Sequence, residues 1–394
     1  MKANLNESMD RNNELSIFST RELEFSKVEE EILESLRKLL APYPNTEAAN
    51  GMQAFLKNSQ ERAFHVNRAC EMICELTHCA ANQRQIRFVN NLSSYSQELN
   101  LLMHLFDYFG SSSGNMTKIA VFYTLFNAEH SKRWPILAKL VSMAISVNNA
   151  DILVVTSSLA CQLNSEFCSL IVDRIVYDFI FLYPDNIGKL KELPLSVPTF
   201  CNIFMKTVTE MYGQRDANSQ WTNVPNILLE VLIEWIEKYN AQLVSAMIGV
   251  EYILCMPVGQ AMSSTLSPYP GILEWIILSS LYEENKKSQQ LFVKLHNAVC
   301  GSLVMMREDF NRMLIPAKIV VSIIQRIKNA LEQGTSDEKL DDCLIRLAQI
   351  IQVSMHSKAI YGDFHILKMK LDELLMLKSN RLLDIVVSCL KNER

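Results

Sequence analysis

The residue types best suited to chemistry in this sequence are the thiols and imidazole of Cys70, Cys74, His78 and Cys79. Sulfur and imidazole nitrogen are zinc ligands. A structural zinc site needs four of them converging on one ion, usually from a tight Cys-x-x-Cys turn. Cys70, Cys74 and His78 recur at i, i+4 and i+8, on one face of a predicted helix. A straight helix cannot wrap ligands spread over two turns around an ion, and no fourth ligand is evident. None of the ten cysteines forms a Cys-x-x-Cys pair. They read as reduced thiols packed into a core, so no metal and no cofactor is expected.

Other catalytic patterns are missing. His65, His78, His104, His130, His296, His356 and His365 include no His-Glu-x-x-His pair, and no Gly-x-Ser-x-Gly, Walker A or Gly-x-Gly-x-x-Gly occurs. The acidic pairs Glu283-Glu284, Asp337-Glu338 and Asp341-Asp342 are adjacent, and neighbours on a helix point about 100° apart. They are expected to face water or to complement helix dipoles. His296 is expected as a partly buried, satisfied core histidine, and Glu129-His130 as a helix end. No catalytic residue is assigned, so the sequence is not that of a recognisable enzyme.

The elements that would have to position any site are helices. Ile136, Leu140 and Ala144 recur four apart beside Leu137, Val141 and Ile145. The same period runs through Ile171, Ile175 and Phe179, through Ile227, Val231 and Trp235, and through Leu344, Leu347, Ala348, Ile351 and Met355. No segment alternates as a strand does. Eleven glycines among 394 residues fall well below the average of about 7%, leaving few places for tight catalytic turns. Gly334 suits a left-handed helix end, and Thr335 with Glu338 has capping-box spacing. Pro135 suits a first helical turn, Pro184 a helix stop, and residues 110–114 a flexible link. Residues 271–281 are apolar on two sides and belong between layers.

Short links between roughly fourteen helices imply antiparallel neighbours. The expected fold is all-α, an irregular HEAT/armadillo-like α-solenoid of stacked antiparallel helix pairs, with a single compact helical bundle as the competitor. Its expected divisions are a mobile polar N-terminus (1–20), a helical repeat region (21–254), an irregular Pro-containing connector (255–271) and a C-terminal helical region (272–394). The polar stretch 213–225, with Trp221, and the connector are candidate docking loops or bends. Met305-Met306 is a candidate adaptable surface, with core packing the commoner use.

The chain has 38 basic and 43 acidic residues, a net charge of −5. The acidic excess falls mainly in residues 141–260, and no segment has the basic field of a nucleic-acid binder. The opening residues are polar, without the apolar core of a secretory signal. No apolar run approaches the ~18 residues of a membrane helix. A soluble, intracellular protein without direct nucleic-acid, membrane or small-molecule partners is expected.

Four collinear segments resemble the Integrator complex subunit 15 family. They are 131–144 (Ser-Lys-Arg-Trp-Pro-Ile-Leu-Ala-Lys-Leu-Val-Ser-Met-Ala), 228–236 (Leu-Leu-Glu-Val-Leu-Ile-Glu-Trp-Ile), 271–275 (Gly-Ile-Leu-Glu-Trp) with 294–296 following, and 344–355. Residues 97–102 and 108–109 are also similar. The resemblance spans about residues 95–390 and leaves 1–90 outside. It implies a nuclear, non-catalytic, all-helical subunit bridging the arm module of subunits ten, thirteen and fourteen to the core of the Integrator. That complex processes small nuclear RNA 3′ ends and attenuates RNA polymerase II transcription. Trp235 and Trp275 match by position and are expected in the core. The alternative is a generic HEAT-like adaptor of the cytosol or of nuclear transport.

Overall fold

The computed structural model describes residues 125–213, 221–249, 267–305 and 314–390, with scattered positions from 102 to 123. The chain forms two compact units, Met1–Ala144 and Ile145–Arg394. In the first, Phe122 lies edge-on to Phe109 and Phe126, with ring centroids 5.0 and 5.1 Å away. Buried Arg133 donates to the carbonyl of Leu125 (3.0 Å), and the Trp134 indole donates to that of Phe126 (3.2 Å). A 3-10 helix, Ala128–Arg133, runs into α1 (Trp134–Ser146), with Pro135 in the first turn. Glu129 and His130 therefore lie in a segment that starts a helix and do not end one.

The regular elements of the second unit, among the described residues, are helices and two two-residue strands. In order they form α2 (Ala150–Ala160), α3 (Ser165–Val176), a π-turn (Tyr177–Leu182) and a 3-10 turn (Pro184–Asn186). Then come α4 (Ile187–Lys191), a second 3-10 turn (Leu193–Leu195), α5 (Pro198–Met211) and α6 (Asn226–Gly249). These are followed by α7 (Tyr269–Tyr282), α8 (Lys286–Met305), β1 (Ile315–Pro316) and α9 (Ala317–Glu332). The last elements are α10 (Asp337–His356), β2 (Ile360–Tyr361), α11 (Phe364–Leu377) and α12 (Arg381–Leu390). Strands β1 and β2 pair in parallel, Ile315 opposite Ile360. Two residues are too few for an alternation to register in the sequence. Helix α7 begins at Tyr269, inside the expected connector, because Pro270 is tolerated in a first turn where its missing N–H has no helical partner.

Packing joins helices that are close in sequence. Helix α5 packs on α2, α3, α6 and α7; α6 on α8; α7 on α8, α9 and α10; α8 on α10; α9 on α11; and α10 and α11 on α12. The centre is α7. Its side chains from Trp275 to Leu281 are all buried, on every side of the helix. Each such aliphatic or aromatic side chain contributes about 1.5–3 kcal/mol on leaving water, so α7 holds its four partners together. Its one charge, Glu274, pairs with Arg326 of α9.

Polar ties fix the register of this packing. Trp235 of α6 is fully buried; its indole N–H donates to the carbonyls of Leu190 and Lys191, 3.1 Å each. Trp275 donates to the carbonyl of Tyr212 (3.1 Å). Both are core residues, as expected. Helix α6 kinks at Tyr239 (φ −122°). The next residue, Asn240, donates to the Ser302 carbonyl (3.2 Å) and accepts from the Tyr269 hydroxyl (3.1 Å), tying α6, α7 and α8 together. Arg346 of α10 reaches α7, donating to the Ile276 carbonyl (2.8 Å) and the Ser279 hydroxyl (3.0 Å).

Helix ends follow local chemistry. Gly334 (φ +77°) lets its own N–H reach the Leu331 carbonyl and the next N–H reach Ala330, closing α9. The predicted capping box does not form. Thr335 turns its hydroxyl back to the Ala330 carbonyl (2.8 Å), and Ser336 holds the cap position of α10. The preceding helix end, with its orphan carbonyls, wins the hydroxyl. Helix starts rely instead on Asn149, Asn164, Asn285, Asp363 and Asn380, whose side chains accept first-turn N–H groups. Pro184 ends the α3 and π-turn stretch where expected.

Gly271 lies where α7 meets α5, and a β-carbon there would fall inside contact distance of the Thr209 side chain. Gly271→Ala should therefore destabilise by about 1–3 kcal/mol from overpacking, outweighing its gain of about 1 kcal/mol in helix propensity. Adding Thr209→Gly should recover part of the loss. Thermal and urea unfolding of the parent and the two variants measure this; a Gly271→Ala protein as stable as the parent contradicts the packing described.

Candidate interaction surface

The sequence-derived candidates fall to different places. Cys70, Cys74, His78 and Cys79 lie outside the described residues, as do 1–20, 214–220 and 255–266. Among the described residues no three His, Cys, Asp or Glu side chains group to hold a metal, and no helix is long and apolar enough to cross a membrane. Asp337 and Glu338 stand in the first turn of α10, where acid complements the dipole, and Asp341 pairs with Lys378 (3.5 Å).

Glu283 departs from the expected solvated face: it is buried, at 1% exposure. Its carboxylate accepts from the Asn285 N–H (2.9 Å) and the Trp221 indole (3.3 Å), an acceptor for donors at the α7–α8 turn. Trp221 also stacks on Tyr282 (5.8 Å between ring centroids) and meets Phe292 edge-on (6.2 Å). The described end of the candidate docking loop is thus clamped to the body. Only the tryptophan in an otherwise polar run signalled this.

Two cysteines share a small cavity of about 170 Å³, lined by Cys161, Cys168, Asn164, Ile203, Lys206 and Glu210. Burial pushes the Cys168 thiol up to about 11 and raises Cys161 in the same direction. Both are held protonated, which is opposite to what a nucleophile or metal ligand needs. His296, at 5% exposure, shares a hydrogen bond between Nε2 and Gln349 Oε1 (2.8 Å). Its Nδ1 is buried without a hydrogen-bond partner, so the expected satisfaction is only half met. Burial, with Arg346 nearby, lowers its pKa below the ordinary 6.5.

What remains is surface. The π-turn presents Tyr177, Phe181, Leu182 and, at its end, Tyr183, 45–65% exposed. A second apolar surface lies on α11 and α12: Ile366, Met369, Met376, Leu382 and Ile385, with Met376 85% exposed. Met305 is 80% exposed at the end of α8, a surface placement and not a core one. Periodicity did not separate these residues from core stripes, since both are apolar.

The described residues form an all-α protein with uncovered apolar surfaces and with no three His, Cys, Asp or Glu side chains grouped to hold a metal. The class is that of all-α proteins. Its family is settled by comparison: the sequence profile of Integrator complex subunit 15 matches residues 30–375, and the chain belongs to that family. Integrator complex subunit 15 of Drosophila melanogaster is 25% identical over 284 residues, 69% of this chain and 73% of that protein. Its Homo sapiens counterpart is 25% identical over 302 residues, 67% of this chain and 66% of that protein. For Danio rerio the figures are 26% over 320 residues, 74% and 66%. The chain spans about two thirds of the length of these vertebrate relatives. The match begins at residue 30, so the likeness extends into the stretch 1–90 that the segments above had left out.

The buried neutral His296 carries a pH dependence. Its folded pKa is depressed, so its contribution is fully present above the unfolded value of 6.5 and is lost as pH falls through the folded value. Urea midpoints should fall between pH 7 and pH 5.5, and fall less in His296→Gln, which keeps an amide beside Gln349. Equal slopes in the two proteins contradict this reading.

Proposed function

We propose that this chain is a non-catalytic subunit of the Integrator complex, an irregular HEAT-like helical scaffold that bridges the arm module of subunits ten, thirteen and fourteen to the core. Its place of action is the nucleus, in small nuclear RNA 3′-end processing and RNA polymerase II transcription attenuation. The observation that carries this reading is the family match over residues 30–375. The structure adds support. A bridge needs at least two docking surfaces, and two apolar surfaces lie on separate parts of the fold. The π-turn packs with α3 and α4, whereas α11 and α12 pack with α9 and α10. Exposed apolar patches on a folded body are a mark of association surfaces.

Native purification of the tagged chain at near-endogenous level, with mass spectrometry of what accompanies it, tests the proposal. Subunits ten, thirteen and fourteen and core subunits should be recovered. Met376→Glu with Ile385→Glu should lose some of these and keep others, with thermal unfolding unchanged. Recovery of the parent chain without any Integrator subunit at low salt rejects the assignment.

A further inference from the structure

The π-turn surface has features that specify a partner. A π-turn is a rare break in helical regularity, often found at functional sites. Here the Tyr183 N–H reaches the Asp178 carbonyl, five residues back, at 2.8 Å. Wider turns of this kind bring residues four and five apart onto one face, so Tyr177, Phe181 and Leu182 project together while Asp178, Phe179 and Ile180 turn inward. Tyr183 extends the exposed row at 59% exposure, and Pro184 prevents the helix from continuing over it.

Exposed charge along the segment that carries this row is mainly acidic. From α3 to the second 3-10 turn, Glu166, Asp185 and Glu192 are exposed acids. Of the cations there, Arg174 is held by Asp178 (2.8 Å) and Lys191 by Glu234 (2.8 Å), which leaves Lys189 as the exposed base without an ion-pair partner among the described residues. The aromatic faces already attract a cation: the Arg174 guanidinium lies 5.7 Å from the centre of the Tyr177 ring. By contrast, the α11–α12 surface is flanked by both signs, Lys368 and Arg381 beside Asp372 and Asp384, and does not select a partner by charge.

We propose that the Tyr177–Leu182 π-turn, with Tyr183, is the docking surface for a basic amphipathic α-helix of another protein. The apolar stripe of that helix covers Phe181 and Leu182. Its Lys and Arg side chains lie over the tyrosine rings and against Asp185 and Glu192. The proposal rests on the scaffold reading and specifies one of its contacts. Helix-on-surface docking of this kind is read through anchors spaced three and four apart, and acidic rims add encounter rate and salt sensitivity.

The test uses the full chain and two fluorescent synthetic helical peptides of roughly twenty residues. They share one Leu/Phe stripe; one is flanked by Lys and Arg, the other by Glu. The basic peptide should bind, more weakly as salt is raised, and the acidic one should bind at least about tenfold more weakly. Phe181→Ser with Tyr183→Ser, both at exposed positions and with thermal unfolding matched to the parent, should cost about tenfold or more in Kd. Met376→Ser on the other surface should leave Kd unchanged. Equal binding of both peptides, or undiminished binding by the double variant, overturns the proposal. So does a dimer of the chain that Phe181→Ser dissolves, which would assign the surface to a second copy. If peptide binding fails while the parent chain still co-purifies with Integrator subunits, this docking assignment falls and the scaffold reading stands.

Discussion

Helix α7 has no polar face, and a helix of that kind must be enclosed. Ile272, Leu273 and the run from Trp275 to Leu281 are buried on all sides by α5, α8, α9 and α10. The close approach this demands is met at Gly271, where α5 leaves no room for a methyl group beside Thr209. Once four helices surround one apolar rod, their other faces must be covered in turn. Helix α6 covers α5 and α8, and α11 and α12 cover α9 and α10. The second unit is therefore built outward from α7.

Burial alone is indifferent to rotation and sliding, and the polar ties supply the register. The Asn240–Tyr269–Ser302 cluster joins three helices at one depth, and burial pushes the Tyr269 phenol up to about 12. Arg346 binds an α7 carbonyl, which fixes α10 against the central helix at a chosen turn. A buried donor left without its acceptor costs about 1–3 kcal/mol, so these contacts penalise every alternative register. The same logic sets the surfaces apart. The π-turn and the outer stripe of α11 and α12 are two places where apolar side chains have no covering helix, and on these the proposed docking rests.

Much of this was legible in the sequence. The 3.6-residue stripes gave the helices, and the two-sided apolar run at 271–281 placed α7 between layers. Gly334 and Pro184 marked ends that the structure keeps. Other features depended on competition that periodicity does not register. Thr335 had two candidate partners and took the carbonyl behind it. Glu283 looked solvated beside Glu284, yet donors from Trp221 and Asn285 hold it inside. The π-turn could not be read, because Phe179 and Ile180 fit the same helical stripe that Phe181 and Leu182 interrupt. Whether an apolar side chain is covered depends on what packs over it, and the spacing of residues along one chain does not encode that.

The central claim is the proposal that a packed helical body presents two separate apolar surfaces for docking. Amide hydrogen exchange on the isolated chain and on the chain within its purified native assembly tests it most directly. The account predicts slowed exchange in the assembly at residues 177–183 and 366–385, with α7 equally protected in both. Unchanged exchange at both surfaces, with protection gained elsewhere, would contradict it.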